Sequence, residues 1–464
     1  MTIGIIFVVL SLVLLIFLAY KGISVMVLAP LMALLAYAGS TVFIGGSGHF
    51  FATYTEVFMK GAGTFIINNF PVFLLGAIYG KFLEVSGSAD AIANFVTGKL
   101  GSKYAIFAGV ITGAILTYGG VSLFVVAFAM YPICAKLYKE AGLNKRLVPA
   151  TITLSAFTFG MIAPGSPQIQ NAIPMRFLGT NAFAAPLLGL IAALLEFGLG
   201  TIYLSHKAKV YEKKYGKGYG EWTENLVDRS RDDLPGVFVA FLPIIITLVT
   251  NLIFSRIVFP NYYDGAFLET EYNTTLQTVY GTWSLIAALI ISIIVCVGLN
   301  WKRFGNFTKT LSDGVNGSFL AIFNTASENG YGTVIATLAA YGVIAGGITG
   351  ISSNPLIATA LGTTIMAGIT GSGSGGLTIA LTTIGDQLIE MANARNISLD
   401  IIHRVAVVAC GGLDSLPHNG AVITVLGICQ MSHKDGYKDI GVCTVVIPLI
   451  TAVVCVILGS LGVC

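Results

Sequence analysis

Long apolar runs, interrupted by short polar clusters, dominate the chain. A membrane-crossing helix needs about 20 mostly apolar residues. Runs of that kind lie near Ile3–Ala19, Ile23–Phe43, Phe65–Phe82, Ala185–Leu204, Val237–Phe254, Trp283–Leu299 and Val442–Leu461, and each predicts a spanning helix. Met1–Tyr20 has neither a basic start nor a cleavage site, so it reads as a first span rather than a leader.

The polar clusters recur in order. The first stretch runs from Thr117-Tyr118-Gly119-Gly120-Val121-Ser122 through an apolar arm, a charged loop and a second arm. It ends at Ala163-Pro164-Gly165-Ser166-Pro167-Gln168-Ile169-Gln170-Asn171. The second runs from Gly371-Ser372-Gly373-Ser374-Gly375-Gly376-Leu377-Thr378 through an arm, a charged loop (Asp386 to Arg404) and an arm. It ends at Gly411-Gly412-Leu413-Asp414-Ser415-Leu416-Pro417-His418-Asn419. Gly119 to Pro164 is 45 positions and Gly375 to Pro417 is 42, so order and spacing agree. Upstream, each half also predicts a polar break, at Asn68-Asn69-Phe70-Pro71 and at Asn324–Asn329.

The arms beside the glycine clusters are too short to span. Tyr104–Thr117 is 14 residues, about 21 Å of helix against about 30 Å of hydrocarbon. Residues 104–138 and 354–391 therefore read as re-entrant hairpins, and residues 147–176 and 405–432 as broken spans. Lys and Arg set the orientation. The loop His206–Asp233 carries seven of them and reads as cytoplasmic, whereas Ser255–Gln277 carries only Arg256. Counting from there puts both termini outside. The expected fold is an all-α polytopic membrane protein built as an inverted repeat. Each half has three spans, a re-entrant hairpin, a broken span and a final span. Residues 1–205 form the first half, 206–234 a cytoplasmic linker and 235–464 the second half. Inverted repeats are a common construction of secondary transporters.

Composition narrows the function classes. Charged residues are 10% of the 464, against about 25% in soluble proteins. That excludes a soluble enzyme or a disordered scaffold, and a net charge of +3 implies no nucleic acid partner. The seven cysteines form no metal-type spacing and read as small buried hydrophobes. No metal or cofactor is expected.

The candidate chemistry lies at the tips and breaks. Unwound backbone is tolerated at membrane depth only where protein or water satisfies it, and half-helix N-termini favour anions. Expected substrate contacts are Tyr118, Gly119, Gly120 and Ser122 at the first tip and Ser372, Gly373, Ser374, Gly375 and Thr378 at the second. From the breaks come Ser166, Gln168, Asn171, Asp414, His418 and Asn419. Glu328, His418 and Asp414 are the candidates for a coupling proton, because intramembrane ionisable groups are costly and signal function. Glu196 lies within a span with no visible partner. The breaks hold no Lys or Arg, which disfavours a multiply charged substrate. An intramembrane hydrolase lacks its motifs here: Ser374 has no nucleophile signature around it and no His-Glu-x-x-His occurs. A channel would repeat one filter motif, whereas the two tips differ.

The segment Cys410-Gly411-Gly412-Leu413-Asp414-Ser415-Leu416-Pro417-His418-Asn419-Gly420-Ala421-Val422-Ile423-Thr424 resembles the gluconate permease (GntP) family of the ion transporter superfamily. The resemblance extends over nearly the whole chain and is greatest to the branch of D-3-hydroxybutyrate and short hydroxy-acid permeases. It implies proton-coupled uptake of a small organic anion through a bacterial inner membrane. It also implies a scaffold domain, a transport domain carrying both hairpins, a homodimer and elevator-type movement. A gluconate-type sugar acid is the alternative substrate. The Ser-Asn-Thr hairpin motifs of sodium-coupled dicarboxylate carriers are absent, which disfavours sodium coupling.

Overall fold

The computed structural model describes residues 2–21, 23–41, 46–100, 104–118, 123–222, 234–340, 343, 352–417 and 419–464. All regular structure among them is helical. The first part of the chain contributes α1 (Thr2–Tyr20), α2 (Val25–Ser40), α3 (Phe50–Val85), α4 (Ser88–Leu100), α5 (Ala105–Tyr118) and α6 (Leu123–Ala141). A helix in three pieces follows: α7 (Leu147–Ala156), α8 (Phe159–Ile162) and α9 (Ile169–Leu178). It leads into α10 (Pro186–Tyr215). The second part holds α11 (Val237–Tyr262), α12 (Ala266–Tyr272), α13 (Leu276–Asn300), α14 (Phe307–Thr337), α15 (Pro355–Thr370) and α16 (Gly373–Ala394). It closes with α17 (Leu399–Cys410), α18 (Gly420–Ile428) and α19 (His433–Ser460).

Among the described residues α3, α10, α11, α13 and α19 are long and apolar enough to cross a membrane. Their outer faces carry exposed large apolar side chains such as Ile67, Ile202, Phe238, Ile294 and Val453. That is a surface suited to lipid rather than water. The short arms lie on the inside. In α5, α7 and α15 most residues are buried, which explains why these segments look hydrophobic on every side.

Two expected breaks are absent. Asn68–Pro71 lies inside α3 and Asn324–Asn329 inside α14, and both helices run on. A lone proline removes one intrahelical bond, and packing of the two helices against each other outweighs that loss. One asparagine bonds across the pair and the other bonds back within its own helix. Asn329 Nδ2 donates to the Gly61 carbonyl at 2.8 Å, and Asn69 Nδ2 to Phe65 O at 2.9 Å. A Cβ at Gly330 would stand 2.8 Å from the Phe58 carbonyl, so glycine sets how closely α3 and α14 approach.

The charged stretch Asp386–Arg404 is also mostly helix: α16 continues to Ala394 and α17 starts at Leu399. Ser398 caps α17, its side chain accepting from Asp400 N at 3.2 Å. Arg404 therefore sits inside α17, fully buried, and not in a loop. Likewise α10 extends to Tyr215, past the expected start of the polar linker at 206.

Candidate transport site

The first break follows from two prolines. In a continuous helix Gly160 O and Ala163 O would accept from the residues at 164 and 167, but Pro164 and Pro167 have no N–H. Other donors take over. Ser166 Oγ donates to Gly160 O at 3.0 Å, and Ser166 N to Ala163 O at 3.1 Å. Gly165 has φ +81°, and a Cβ there would meet the Phe183 ring at 2.5 Å, so only glycine fits. From this break two groups reach the end of the first hairpin arm. Gln168, the N-cap of α9, donates through Nε2 to Thr117 O at 2.6 Å, and the Tyr118 hydroxyl donates to Pro164 O.

The second break is built differently but makes the same kind of contact. Asn419 caps α18, its Oδ1 accepting from Ala421 N and Val422 N at 2.8 and 2.9 Å. Its Nδ2 donates to Gly371 O at 2.7 Å and to Asp414 O at 2.9 Å. In each half, then, an amide at the N-cap beyond the break donates to a carbonyl at the end of the first hairpin arm. From α19, His433 Nε2 lies 3.0 Å from Pro417 O, and Tyr437 OH donates to Ser415 O at 3.2 Å.

The second tip is lined by two carboxyl groups. Ser372 caps α16, its Oγ accepting from Gly375 N at 3.2 Å. A Cβ at Gly373 would stand 2.7 Å from Asp414 Oδ2, and one at Gly375 would stand 3.0 Å from Glu328 Oε2. Glycine at both positions lets the backbone lie directly against these side chains. Asp414 is 4% and Glu328 8% exposed. Asp414 Oδ1 accepts from Ser415 Oγ at 2.7 Å, whereas Glu328 Oε2 has no partner among the described residues. Ser374 Oγ is within 3.4 Å of Ser372 Oγ, and the Thr378 hydroxyl donates to Ser374 O at 2.8 Å within its own helix. Glu196 of α10, 1% exposed, lies in the electrostatic range of Asp414 and also has an unpartnered oxygen, Oε2, among the described residues.

The structure thus brings Tyr118 and Gln168 to the contact between the first hairpin arm and the first break, and Ser372, Gly373, Ser374, Gly375, Glu328, Asp414 and Asn419 around the second tip. Ser166 and Asn171 are fully buried behind the first break. Asn171 uses all its hydrogen-bonding capacity inside the protein: Nδ2 donates to Ser166 O and Ala182 O, and Oδ1 faces His403 Nε2 and Arg404 Nη1. Gly119, Gly120, Ser122 and His418 lie outside the described residues.

Two residues at this site escaped the sequence reading. His403 Nδ1 lies 2.6 Å from Thr180 Oγ1 and Nε2 lies 3.2 Å from Asn171 Oδ1. Arg404 reaches from α17 into the first break, donating to the carbonyls of Ile162, Ala182 and Ala184 and to Asn171 Oδ1. A basic residue therefore does stand at a break. The available signal was Ser398-Leu399-Asp400, a helix start that would have put Arg404 well inside α17.

Short buried helices and interrupted helices beside long apolar helices with exposed apolar faces suit a protein embedded in a membrane. The chain belongs to the GntP permease family, whose family model, "GntP family permease", matches residues 3–461. An uncharacterized transporter of Bacillus subtilis, YxjC, is 40% identical over 95% of this chain and 96% of its own. An uncharacterized permease of Haemophilus influenzae is 24% identical over 67% of this chain and 63% of its own. The fold is similar to that of the YdaH transporter of Alcanivorax borkumensis, with TM-score 0.53 and 14% identity over 87% of this chain and 88% of that one. The protein is a transporter and not an enzyme.

Proposed function

We propose that this permease is a proton-coupled importer of a small hydroxy monocarboxylate such as D-3-hydroxybutyrate. The carrying observation is the second tip: a Gly/Ser helix start set against two buried carboxyl groups, Asp414 and Glu328, with no cation paired to either among the described residues. First-turn N–H groups and serine hydroxyls suit one carboxylate that must also be released. Buried carboxyl groups without a counter-ion suit a proton, since a bare charge there is costly. Asp414, Glu328 and the neighbouring His418 are the assigned proton carriers. Tyr118 and Gln168 are assigned as further substrate contacts, with Gly119, Gly120 and Ser122 next to Tyr118 in the sequence, and Ser372 and Ser374 orient the substrate.

The mechanism we propose is an elevator over an inverted repeat. Its support is the packing. α1 packs on α2 as α11 does on α13, α5 on α7 as α15 does on α17, and α6 on α18 as α16 does on α9. Exchanging the halves reproduces the neighbours, and the two amide bridges from Gln168 and Asn419 exchange as well. In this reading α1, α2, α3, α11, α13 and α14 form the scaffold. The hairpins, broken helices, α10 and α19 form the moving domain. The permease works as a homodimer in a bacterial inner membrane with both termini outside.

Uptake of radiolabelled D-3-hydroxybutyrate into proteoliposomes tests the proposal, with an inward proton gradient, no sodium and unlabelled gluconate as competitor. Saturable uptake that a protonophore abolishes and gluconate leaves intact is the expected result. Strong competition by gluconate moves the substrate to the sugar acids, and dependence on sodium removes the proton assignment.

A further inference from the structure

We infer that Arg404 is a positioning residue for transport, fixing the first break from the opposite half of the chain and supplying the positive charge that attracts the anion. This rests on the reading of the protein as an organic-anion carrier. All five N–H groups of the guanidinium are used. Nε donates to Ala184 O at 3.0 Å and Nη2 to Ala184 O at 2.6 Å and Ala182 O at 3.3 Å. Nη1 donates to Asn171 Oδ1 at 3.1 Å and to Ile162 O. Ile162 O is one of the acceptors that the break deprives of its helical partner, because Ser166 N turns to Ala163 O instead. Arg404 thus replaces a missing backbone donor. Its planar fork reaches both sides of the broken segment at once, which a lysine cannot do.

Every one of these acceptors is neutral. The side chain is 0% exposed and makes no ion pair among the described residues. The carboxylate in its electrostatic range, Asp400, sits one turn back at the half-buried start of α17 and is shared with Arg256. The charge is therefore solvated by dipoles but not neutralised, and in a low-dielectric interior such a charge acts over longer distances than in water. It lies beside the first break. A Cβ at Gly189 of α10 would touch both Arg404 Nε at 2.8 Å and Pro164 Cγ at 2.9 Å, and Tyr118 at the first tip is in its electrostatic range. Gly189 is what admits the guanidinium beside the break. A single fixed positive charge behind neutral donors favours an anion of single charge.

The test compares Arg404→Gln and Arg404→Lys with the parent protein in proteoliposomes, after thermal unfolding confirms that each is folded. Radiolabelled D-3-hydroxybutyrate is the probe, and its uncharged methyl ester is the competitor. Arg404→Gln is expected to raise KM for the anion about tenfold or more while the ester competes as before. Arg404→Lys is expected to keep the preference for anion over ester but to lower kcat, because the fork is lost. Unchanged KM in folded Arg404→Gln, or equal loss for anion and ester, overturns the inference. If Arg404→Gln does not fold, loss of anion preference in Arg404→Lys overturns it as well. If the parent protein carries gluconate instead, gluconate and its uncharged lactone replace the pair. If it carries no organic anion, the functional reading fails first, and this inference with it.

Discussion

Asp414 and Glu328 show how the smallest scale governs this permease. Both stand against glycine backbone at the second tip, where any Cβ would intrude on their oxygens. In the proposed reading these two groups carry the coupling proton beside the substrate. Asp414→Asn and Glu328→Gln are nearly isosteric and remove the titration. At least one should reduce proton-driven accumulation about tenfold or more while leaving substrate counterflow, which moves no net charge, close to the parent rate. Equal loss of both activities would show that the side chains hold substrate and carry no coupling proton. These carboxyl groups were legible in the sequence because a lone acidic residue stands out in an apolar run. Arg404 was not: it follows Asp386, Glu390 and Arg395 closely enough to look like part of a charged loop. Only the carbonyls converging on it from 162, 182 and 184 reveal its place.

At the scale of elements, glycine and proline decide where helices stop and how closely they pack. The second hairpin depends on Gly376, where a Cβ would lie 2.2 Å from the backbone Cα of Ala367. No rotamer change relieves a backbone clash, so Gly376→Ala must part the arms α15 and α16. The expected cost is at least about 1–3 kcal/mol, in the range of core overpacking, read as a lower melting temperature of the purified protein together with loss of transport. Unaltered melting would mean that the arms are not in this contact. The interruptions after Ile162 and after Cys410 were readable because two prolines, or a pair of glycines with a proline, break the apolar run there. The expected breaks at 68–71 and 324–329 failed for the opposite reason. Asn329 reaches Gly61 on the partner helix, a contact that no local pattern records, and Asn69 donates back to Phe65 O in its own helix.

Across the whole molecule, contacts at the helix ends tie the broken helices to the final spans. Arg146 at the start of α7 pairs with Asp435 of α19 at 2.9 Å, and its guanidinium lies 4.5 Å from the Tyr215 ring. Asp439, fully buried, accepts from Tyr203 at 2.7 Å and from Tyr211, with Lys207 at 3.7 Å. These groups cluster on the side that the basic residues assign to the cytoplasm. The opposite side is testable with the native cysteines, since six are buried and Cys464 is exposed. A membrane-impermeant maleimide should label one thiol per chain in right-side-out vesicles if the C-terminus lies outside, and Cys464→Ser should abolish it. Labelling confined to inside-out vesicles would invert the proposed orientation.

The sequence by itself determined the solvent and the units. A chain with so little charge must place most of its surface in lipid, and apolar runs of spanning length must become helices there, because no water is present to satisfy the backbone. It also marked two of the interruptions, at Pro164–Pro167 and at Gly411–Pro417, since proline removes donors and glycine tolerates the resulting turns. Only the tertiary structure decided which broken backbone groups meet which side chains. Arg404 crossing to the other half's break and Asn419 reaching the end of the hairpin arm join residues far apart in the chain. Each depends on how two helices cross in space, and periodicity along one helix carries no information about that crossing.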